Sequence, residues 1–197
     1  MSGGSGRAGD GAVQPVGRIK AMFDCPLFLS WPAIPARLWP TSMNAAPLLN
    51  SVVAALAEEG LEAILIGNAG AAIQGAPVTT VDFDFMFRAT PPNLAKLKRF
   101  ALRLEAVILR PYYPVSNLYR VVNDDRGLQV DFMPTIHGVK SFNSLRSRAE
   151  KMELGGHSVW VAALGDIIAS KRAAGRARDK AVLDVLEATL REKRKAS

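Results

Sequence analysis

The sequence has few of the residues that build disulfides or soft-metal sites. Its 197 residues include one cysteine, Cys25, and two histidines, His137 and His157. A single cysteine excludes an internal disulfide framework and a cysteine-based zinc site, and two histidines are too few for a histidine-rich metal site. Because no secretory signal is evident, we expect a protein of the reducing cytoplasm.

Long hydrophobic runs are also lacking. The most apolar N-terminal stretch, residues 22–31, is interrupted by Asp24 and followed by prolines, so we expect no membrane partner. Residues 1–42 are rich in glycine, serine and proline, and we expect an arm that is disordered or loosely docked, or an extension from an alternative start. Periodic patterning begins near Met43, which predicts one domain over residues 43–197.

The net charge of +7 is concentrated at the C-terminal end. Residues 171–197 hold nine Lys and Arg against four Asp and Glu, a net of +5, whereas residues 43–170 are neutral. Such a segment suits a polyanion, either a nucleoside triphosphate or RNA. An ordinary solvated helix end, whose cations favour the helix dipole, explains the same pattern and stays open.

Hydrophobic periodicity indicates a mixture of helices and strands. Residues 123–127 have the composition of a hairpin turn, and C-terminal helices begin near residue 164. The patterns predict helices over 45–59, 71–74, 91–104, 164–174 and from 178, and strands over 61–66, 80–87, 105–109, 117–122, 128–133 and 158–162.

Two carboxylates lie on one face of a predicted strand whose other face is apolar. Residues two apart project from the same side of a strand, so Asp82 and Asp84 point away from the face that carries Phe83 and Phe85. The strand over 128–133 repeats this design with Asp131. Aspartate is disfavoured in strands, and oxygen ligands for a hard divalent cation explain its presence.

If the three aspartates converge, they can hold two Mg²⁺ ions about 3.5 to 4 Å apart, as in-line phosphoryl or nucleotidyl displacement requires. The turn Gly67-Asn68-Ala69-Gly70 leads from a strand into a helix, where free backbone N–H groups favour phosphate. Glycine there lets the backbone approach a ligand closely. Each element alone is common, and their combination favours a metal site.

The stretches 66–69, 75–77 and 80–84, with Val130-Asp131-Phe132 and residues 164–179, resemble the nucleotidyltransferase (polymerase-beta-like) superfamily. The likeness runs from about residue 45 to 190 and is greatest to its AbiEii-type and MenT-type toxin branch. It implies a nucleotidyltransferase fold of the α/β (α+β) class, a small mixed sheet flanked by helices with a helical C-terminal part.

The resemblance also implies roles for individual residues. Asp82, Asp84 and Asp131 would be the catalytic metal ligands, for Mg²⁺ or Mn²⁺. Gly67 and Asn68 would hold the triphosphate of an NTP substrate, here taken as ATP or another NTP. Two cations would contact the nucleotide, and the first of them would also be catalytic: Lys171 and Arg176.

The implied reaction transfers NMP to an acceptor hydroxyl and releases pyrophosphate. RNA, such as the 3′ end of tRNA, is the acceptor that the resemblance suggests, and an antitoxin protein is a further expected partner if the chain is a toxin. A catalytically silent nucleotide- or RNA-binding module, or a partner-binding subunit, is the alternative.

Two departures from the family pattern motivate that alternative. Asn68 stands where the family usually has glycine or serine, and Val78 where it commonly has arginine, a contact that Arg88 could replace. Asp179 could pair with Arg176 on a helix surface or belong to the site. The tyrosines at 112, 113 and 119 could stack on a base or serve as core or interface residues.

Overall fold

The computed structural model describes residues 46–80 and 82–196. The predictions for residues 1–42 concern a segment outside these ranges. A seven-stranded mixed sheet is the centre of the fold, with the strand order β3-β4-β5-β2-β1-β7-β6. The strands are β1 (Ala63–Leu65), β2 (Phe83–Phe87), β3 (Val107–Leu109), β4 (Tyr119–Asn123), β5 (Leu128–Met133), β6 (Glu150–Leu154) and β7 (His157–Val161).

Six α-helices accompany this sheet in the described residues. They are α1 (Ala46–Glu59), α2 (Gly67–Ala72), α3 (Pro91–Arg103), α4 (Phe142–Arg146), α5 (Leu164–Ala174) and α6 (Ala177–Ala196). The expected α/β class with a small mixed sheet and a helical C-terminal part is confirmed. Within the described residues no helix combines the length and apolar character needed to cross a membrane.

The two faces of the sheet bury two separate hydrophobic clusters. Phe83, Phe85 and Phe87 alternate along β2 and face the cluster that includes buried residues of α1 and α3. Met86 points the other way and is buried with α5 and α6 residues such as Ile167 and Leu186. The period of two predicted for β2 is therefore what separates its aromatic face from the face that carries Asp84.

Sheet pairing brings the acid-bearing strands together. Strands β2 and β5 are parallel neighbours, with Asp84 directly opposite Asp131. Strand β4 pairs with β5 in the antiparallel direction, which places Arg120 opposite Asp131 on the other side. The hairpin predicted at 123–127 is the β4–β5 connection, a short 3₁₀ turn over Asp124–Arg126.

Three predictions of local structure require correction. Helix α2 begins at Gly67 itself rather than at residue 71, and β2 begins at Phe83, so Asp82 lies in the bend before the strand. The Thr80 hydroxyl holds that bend, within 2.8 Å of the Asp82 carbonyl oxygen. The segment before β7, taken as a loop, contains α4 and β6.

Candidate metal centre

Three carboxylates converge where β2 and β5 lie side by side. One oxygen from each of Asp82, Asp84 and Asp131 lies within 4.8 Å of the others. Asp131 is buried, and the other two are half-buried. The Thr80 hydroxyl lies 2.9 Å from Oδ1 of Asp82 and so orients that side chain. The donor set is made of carboxylate oxygens, the ligands that hard divalent cations prefer.

The raised pKa of Asp84 indicates that the nearby cations do not fully offset the burial and mutual repulsion of the three carboxylates. Burial raises the pKa of Asp84 to about 6, and the negative charges of Asp82 and Asp131 add to the increase. Lys171 and Arg178 oppose it and lower the pKa, but only in part. A divalent cation would offset the repulsion among the carboxylates, so the residues present fit a Mg²⁺ or Mn²⁺ site.

Gly67 is in close contact with the acid cluster. Its φ is +66°, a conformation that favours glycine, and a Cβ at this position would lie 2.4 Å from Oδ2 of Asp84. The backbone amide of Ile66 also donates to the carbonyl oxygen of Asp84, at 2.9 Å. The start of α2 and the start of β2 are thus joined beside the acid cluster, while the phosphate contact expected of the turn around Gly67 stays a prediction.

Asn68 leaves a polar atom unsatisfied beside the site. Its side-chain amide donates to the carbonyl oxygen of Thr79 at 3.3 Å, while its Oδ1 is buried without a hydrogen-bond partner. Buried polar atoms nearly always have a partner, so this oxygen is available to a donor that a ligand or water brings. Val78, the other departure from the family pattern, packs against the second hydrophobic cluster.

The predicted cations Lys171 and Arg176 share one partner, Asp179. Lys171 Nζ lies 3.2 Å from Oδ1 of Asp179, and Arg176 Nε lies 2.6 Å from its Oδ2. Burial would raise the pKa of Asp179, but the hydrogen bonds from Arg176 and Lys171 outweigh it and hold the pKa below its ordinary value. Lys171 is also near enough to lower the pKa of Asp84, so it links Asp179 to the acid cluster.

Two arginines near the acid cluster, Arg178 and Arg120, were not predicted from the sequence. Arg178, in the first turn of α6, lowers the pKa of Asp84, whereas the predicted Arg176 bonds to Asp179. Arg120 forms a bidentate ion pair with Asp131. The alternation of β4 could have identified Arg120, since Val121 faces the core, but only the strand register shows that it meets Asp131.

Arg88, proposed as a replacement for a missing phosphate contact, is engaged at the opposite end of β2. Its Nε lies 2.6 Å from a Glu62 carboxylate oxygen and its Nη2 lies 2.7 Å from Oδ1 of Asn143. The guanidinium also stacks on Phe142, with 4.9 Å between its central carbon and the ring centroid. These contacts describe a structural role for Arg88.

The fold is also that of solved nucleotidyltransferase structures. ANT(2″)-Ia in complex with adenylyl-2″-tobramycin matches with a TM-score of 0.54 at 14% identity, over 77% of this chain and 92% of that chain. TM1012 of Thermotoga maritima, named as a candidate nucleotidyltransferase, matches with a TM-score of 0.50 at 18% identity, over 70% and 89% respectively. No protein-family model and no curated protein matches the chain. The chain therefore has a nucleotidyltransferase fold.

Proposed function

We propose that this protein is a metal-dependent nucleotidyltransferase that transfers NMP from an NTP to an acceptor hydroxyl. The observation that carries the proposal is the convergence of Asp82, Asp84 and Asp131 within 4.8 Å on a sheet of nucleotidyltransferase topology. In the reaction a bond forms between the acceptor oxygen and the α-phosphorus. The bond from that phosphorus to pyrophosphate breaks, and the acceptor hydroxyl loses its proton.

The three aspartates would hold Mg²⁺ or Mn²⁺, which when bound supplies charge neutralisation at the triphosphate and lowers the pKa of the attacking hydroxyl. Thr80 orients Asp82, and the absence of a side chain at Gly67 leaves space for Asp84. Asp131 is fixed by Arg120. The chain thus prearranges two of its carboxylates on adjacent strands of the sheet and the third on the bend before β2, which is what positional catalysis requires.

Cations from the two C-terminal helices would bind the triphosphate. Lys171 and Arg178 lie close enough to Asp84 to lower its pKa, and both carry charge that the phosphates of an NTP would attract. Arg176 is more than half exposed and pairs with Asp179, so it can reach a nucleotide only by sharing or leaving that partner. The backbone N–H groups of Gly67 and Asn68, at the start of α2, would complete the phosphate contacts.

RNA is the acceptor that we propose, with the tRNA 3′ end as the first candidate. The C-terminal segment supplies the positive charge, and a loop next to β4 exposes the rings of Tyr112 and Tyr113. Arg110 lies over the Tyr113 ring, with 4.5 Å between its central carbon and the centroid. ANT(2″)-Ia carries an adenylylated aminoglycoside, so small-molecule hydroxyls belong in the same acceptor screen.

Placement in the AbiEii-type and MenT-type branch, with a toxin role and an antitoxin partner, is part of the same proposal and rests on the sequence motifs. A toxin of this kind would act by blocking translation. Growth arrest on expression, lost in Asp84→Asn, is its expected sign, and undisturbed growth with an active enzyme would contradict the toxin role alone.

The rival is a catalytically silent nucleotide- or RNA-binding module. The observation that favours it is the double contact from Arg120 to both oxygens of Asp131, together with Val78 at the position of the family's arginine. In that case nucleotide binds, and no product forms at any metal concentration.

The test uses purified protein, Mg²⁺, total RNA and each of the four NTPs labelled at the α-phosphate, with Asp82→Ala and Asp84→Ala in parallel. Asp124→Ala, on the exposed β4–β5 turn, is the matched control because it removes a carboxylate away from the cluster. We expect label transfer by the wild type and the control only. Transfer that survives both site substitutions would refute the assigned site, and binding without any transfer would favour the silent module.

A further inference from the structure

Arg120 and Asp131 form a bidentate ion pair at the acid cluster. Nε of Arg120 lies 2.8 Å from Oδ1 of Asp131 and Nη2 lies 2.7 Å from Oδ2, so two parallel charge-assisted hydrogen bonds join a rigid fork to a carboxylate. The side chains are 30% and 8% exposed. The two residues are also direct partners in the β4–β5 ladder, which fixes their separation from the backbone.

This contact makes Asp131 different from the other two aspartates. Asp82 accepts a hydrogen bond from the neutral Thr80 hydroxyl, whereas both oxygens of Asp131 face a permanent positive charge. A carboxylate oxygen has two lone pairs, so Asp131 can face Arg120 and a metal ion together. The guanidinium cannot lose its proton, so its charge always opposes a cation bound at Asp131.

We propose that Arg120 is a positioning residue that makes the second metal ion conditional on the nucleotide. It holds the Asp131 carboxylate beside Asp84 and offsets one of the cluster's negative charges. One divalent ion then binds to the Asp82 and Asp84 side of the cluster in the free protein. A second ion, which needs Asp131, binds strongly only when the triphosphate adds its own negative charge. This inference rests on the proposed function.

The Arg120–Asp131 ion pair would thus ensure that the complete set of metal ions forms only after the nucleotide has bound. Without Arg120, three carboxylates would attract two divalent ions before any substrate arrives, and the ions would be bound by protein alone. With Arg120, the full metal set assembles around the triphosphate. A purely structural ion pair between two strands predicts that removing the charge of Arg120 leaves the affinity for the second ion in the nucleotide-free protein unchanged.

The test measures Mn²⁺ binding to the full chain by calorimetry and by electron paramagnetic resonance, with and without a non-hydrolysable NTP analogue. Arg120→Gln removes the charge and keeps an amide donor, and Arg120→Lys keeps the charge and loses the fork. Arg126→Gln, on the exposed β4–β5 turn, is the matched control. Thermal unfolding confirms that each variant is folded.

We expect the wild type, Arg120→Lys and Arg126→Gln to bind one Mn²⁺ without nucleotide and two with it. Arg120→Gln should bind the second ion without nucleotide about tenfold more tightly than the wild type. That is the effect of a unit charge on a divalent ion about 6 Å away even with the screening of water. An unchanged second-ion affinity in Arg120→Gln would overturn the proposal.

The variant Arg120→Lys keeps the proposal testable if Arg120→Gln does not fold. Tight binding of two ions by Arg120→Lys without nucleotide would also overturn it, because the charge is still there. A wild type that binds no Mn²⁺ in either state would overturn the proposed function and this inference together. Metal binding by Arg120→Gln that is the same as that of the wild type, with and without nucleotide, would overturn the inference alone.

Discussion

Gly67 and Asp84 are so close that a Cβ added to Gly67 would lie 2.4 Å from Oδ2 of Asp84. The contact joins the start of α2 to the acid cluster and leaves no space for any larger residue. It also explains why the chain has glycine there, since φ is +66°. The same glycine therefore satisfies a backbone requirement and a packing requirement at the proposed metal centre.

Gly67→Ala should displace Asp84 and abolish metal binding, because the new methyl group and the carboxylate cannot occupy the same space. We expect a loss of stability larger than the roughly 1 kcal/mol that a positive φ costs alanine. Gly127→Ala is the matched control, since Gly127 has φ +60° and open space around its Cβ position. Urea unfolding and Mn²⁺ titration of both variants compare them, and equal effects in the two would contradict the role of the close contact.

The pKa of Asp84 predicts how the stability of the metal-free protein changes with pH. Between the ordinary value of 3.8 and about 6, the folded protein keeps a proton on Asp84 that the unfolded chain has lost. The contribution of Asp84 to stability is therefore fully present below this window and is lost as the pH rises through about 6. The main cause is burial, which disfavours the charged carboxylate, and repulsion from Asp82 and Asp131 adds to it.

Asp84→Asn removes the titrating group and should therefore abolish the loss of stability that the charged Asp84 causes at higher pH. The free energy of unfolding of the variant, relative to wild type, should increase by about 2 to 3 kcal/mol between about pH 4 and pH 7 in the presence of a chelator. Denaturant unfolding at several pH values measures this difference. Saturating Mg²⁺ should shrink the advantage of the variant, and a difference that is flat with pH would show that Asp84 is not strained by its neighbours.

Asp179 forms ion pairs with Lys171 and Arg176, the two cations predicted to contact the nucleotide. Asp179→Ala leaves Lys171, which is only 12% exposed, without its carboxylate, and we expect a loss of about 3 kcal/mol. Asp184→Ala, an exposed carboxylate on the same helix, should cost less than about 0.5 kcal/mol. Urea unfolding of the two variants checks this, and equal costs would mean that the Lys171–Asp179 pair contributes nothing to stability.

The same residue gives a pH dependence of opposite sign. Because the pKa of folded Asp179 is lowered, its contribution to stability is present above the ordinary aspartate value and is lost as the pH falls through the folded value. The difference in unfolding free energy between wild type and Asp179→Asn should therefore shrink on acidification below about pH 4. A difference in unfolding free energy that increases at acid pH would contradict the ion pairs of Asp179 with Lys171 and Arg176.

The sequence predicted the parts of the fold that depend on local pattern. Helix α5 and strand β5 lie where periodicity places them, because each has a clear apolar stripe or alternation. Helix α4 and strand β6 were missed since both are mostly polar and half-exposed. Strand β6 depends on tertiary structure, because antiparallel pairing with β7 holds it at the edge of the sheet. Helix α4 has only a local signal, the Ser141 hydroxyl that accepts a hydrogen bond from the Ser144 backbone N–H.

The candidate site divides in the same way. The facing of Asp84 and Asp131 follows from alternation, so their chemistry could be predicted, whereas Arg120 required the order of the strands. The three-residue spacing of Arg176 and Asp179 allowed their ion pair to be predicted, but no pattern in the sequence showed that Arg178 would act on Asp84. The positions of Arg120 and Arg178 beside the acids depend on tertiary structure, which local sequence patterns do not encode.

The most direct measurement of nucleotidyl transfer compares two labels on the same NTP in a reaction with Mg²⁺ and the acceptor RNA. We predict that label from the α-phosphate enters the acceptor while label from the γ-phosphate leaves as pyrophosphate, and that Asp84→Asn abolishes both. Transfer of the γ-label to the acceptor, or α-label transfer unaffected by Asp84→Asn, would contradict nucleotidyl transfer at this carboxylate cluster.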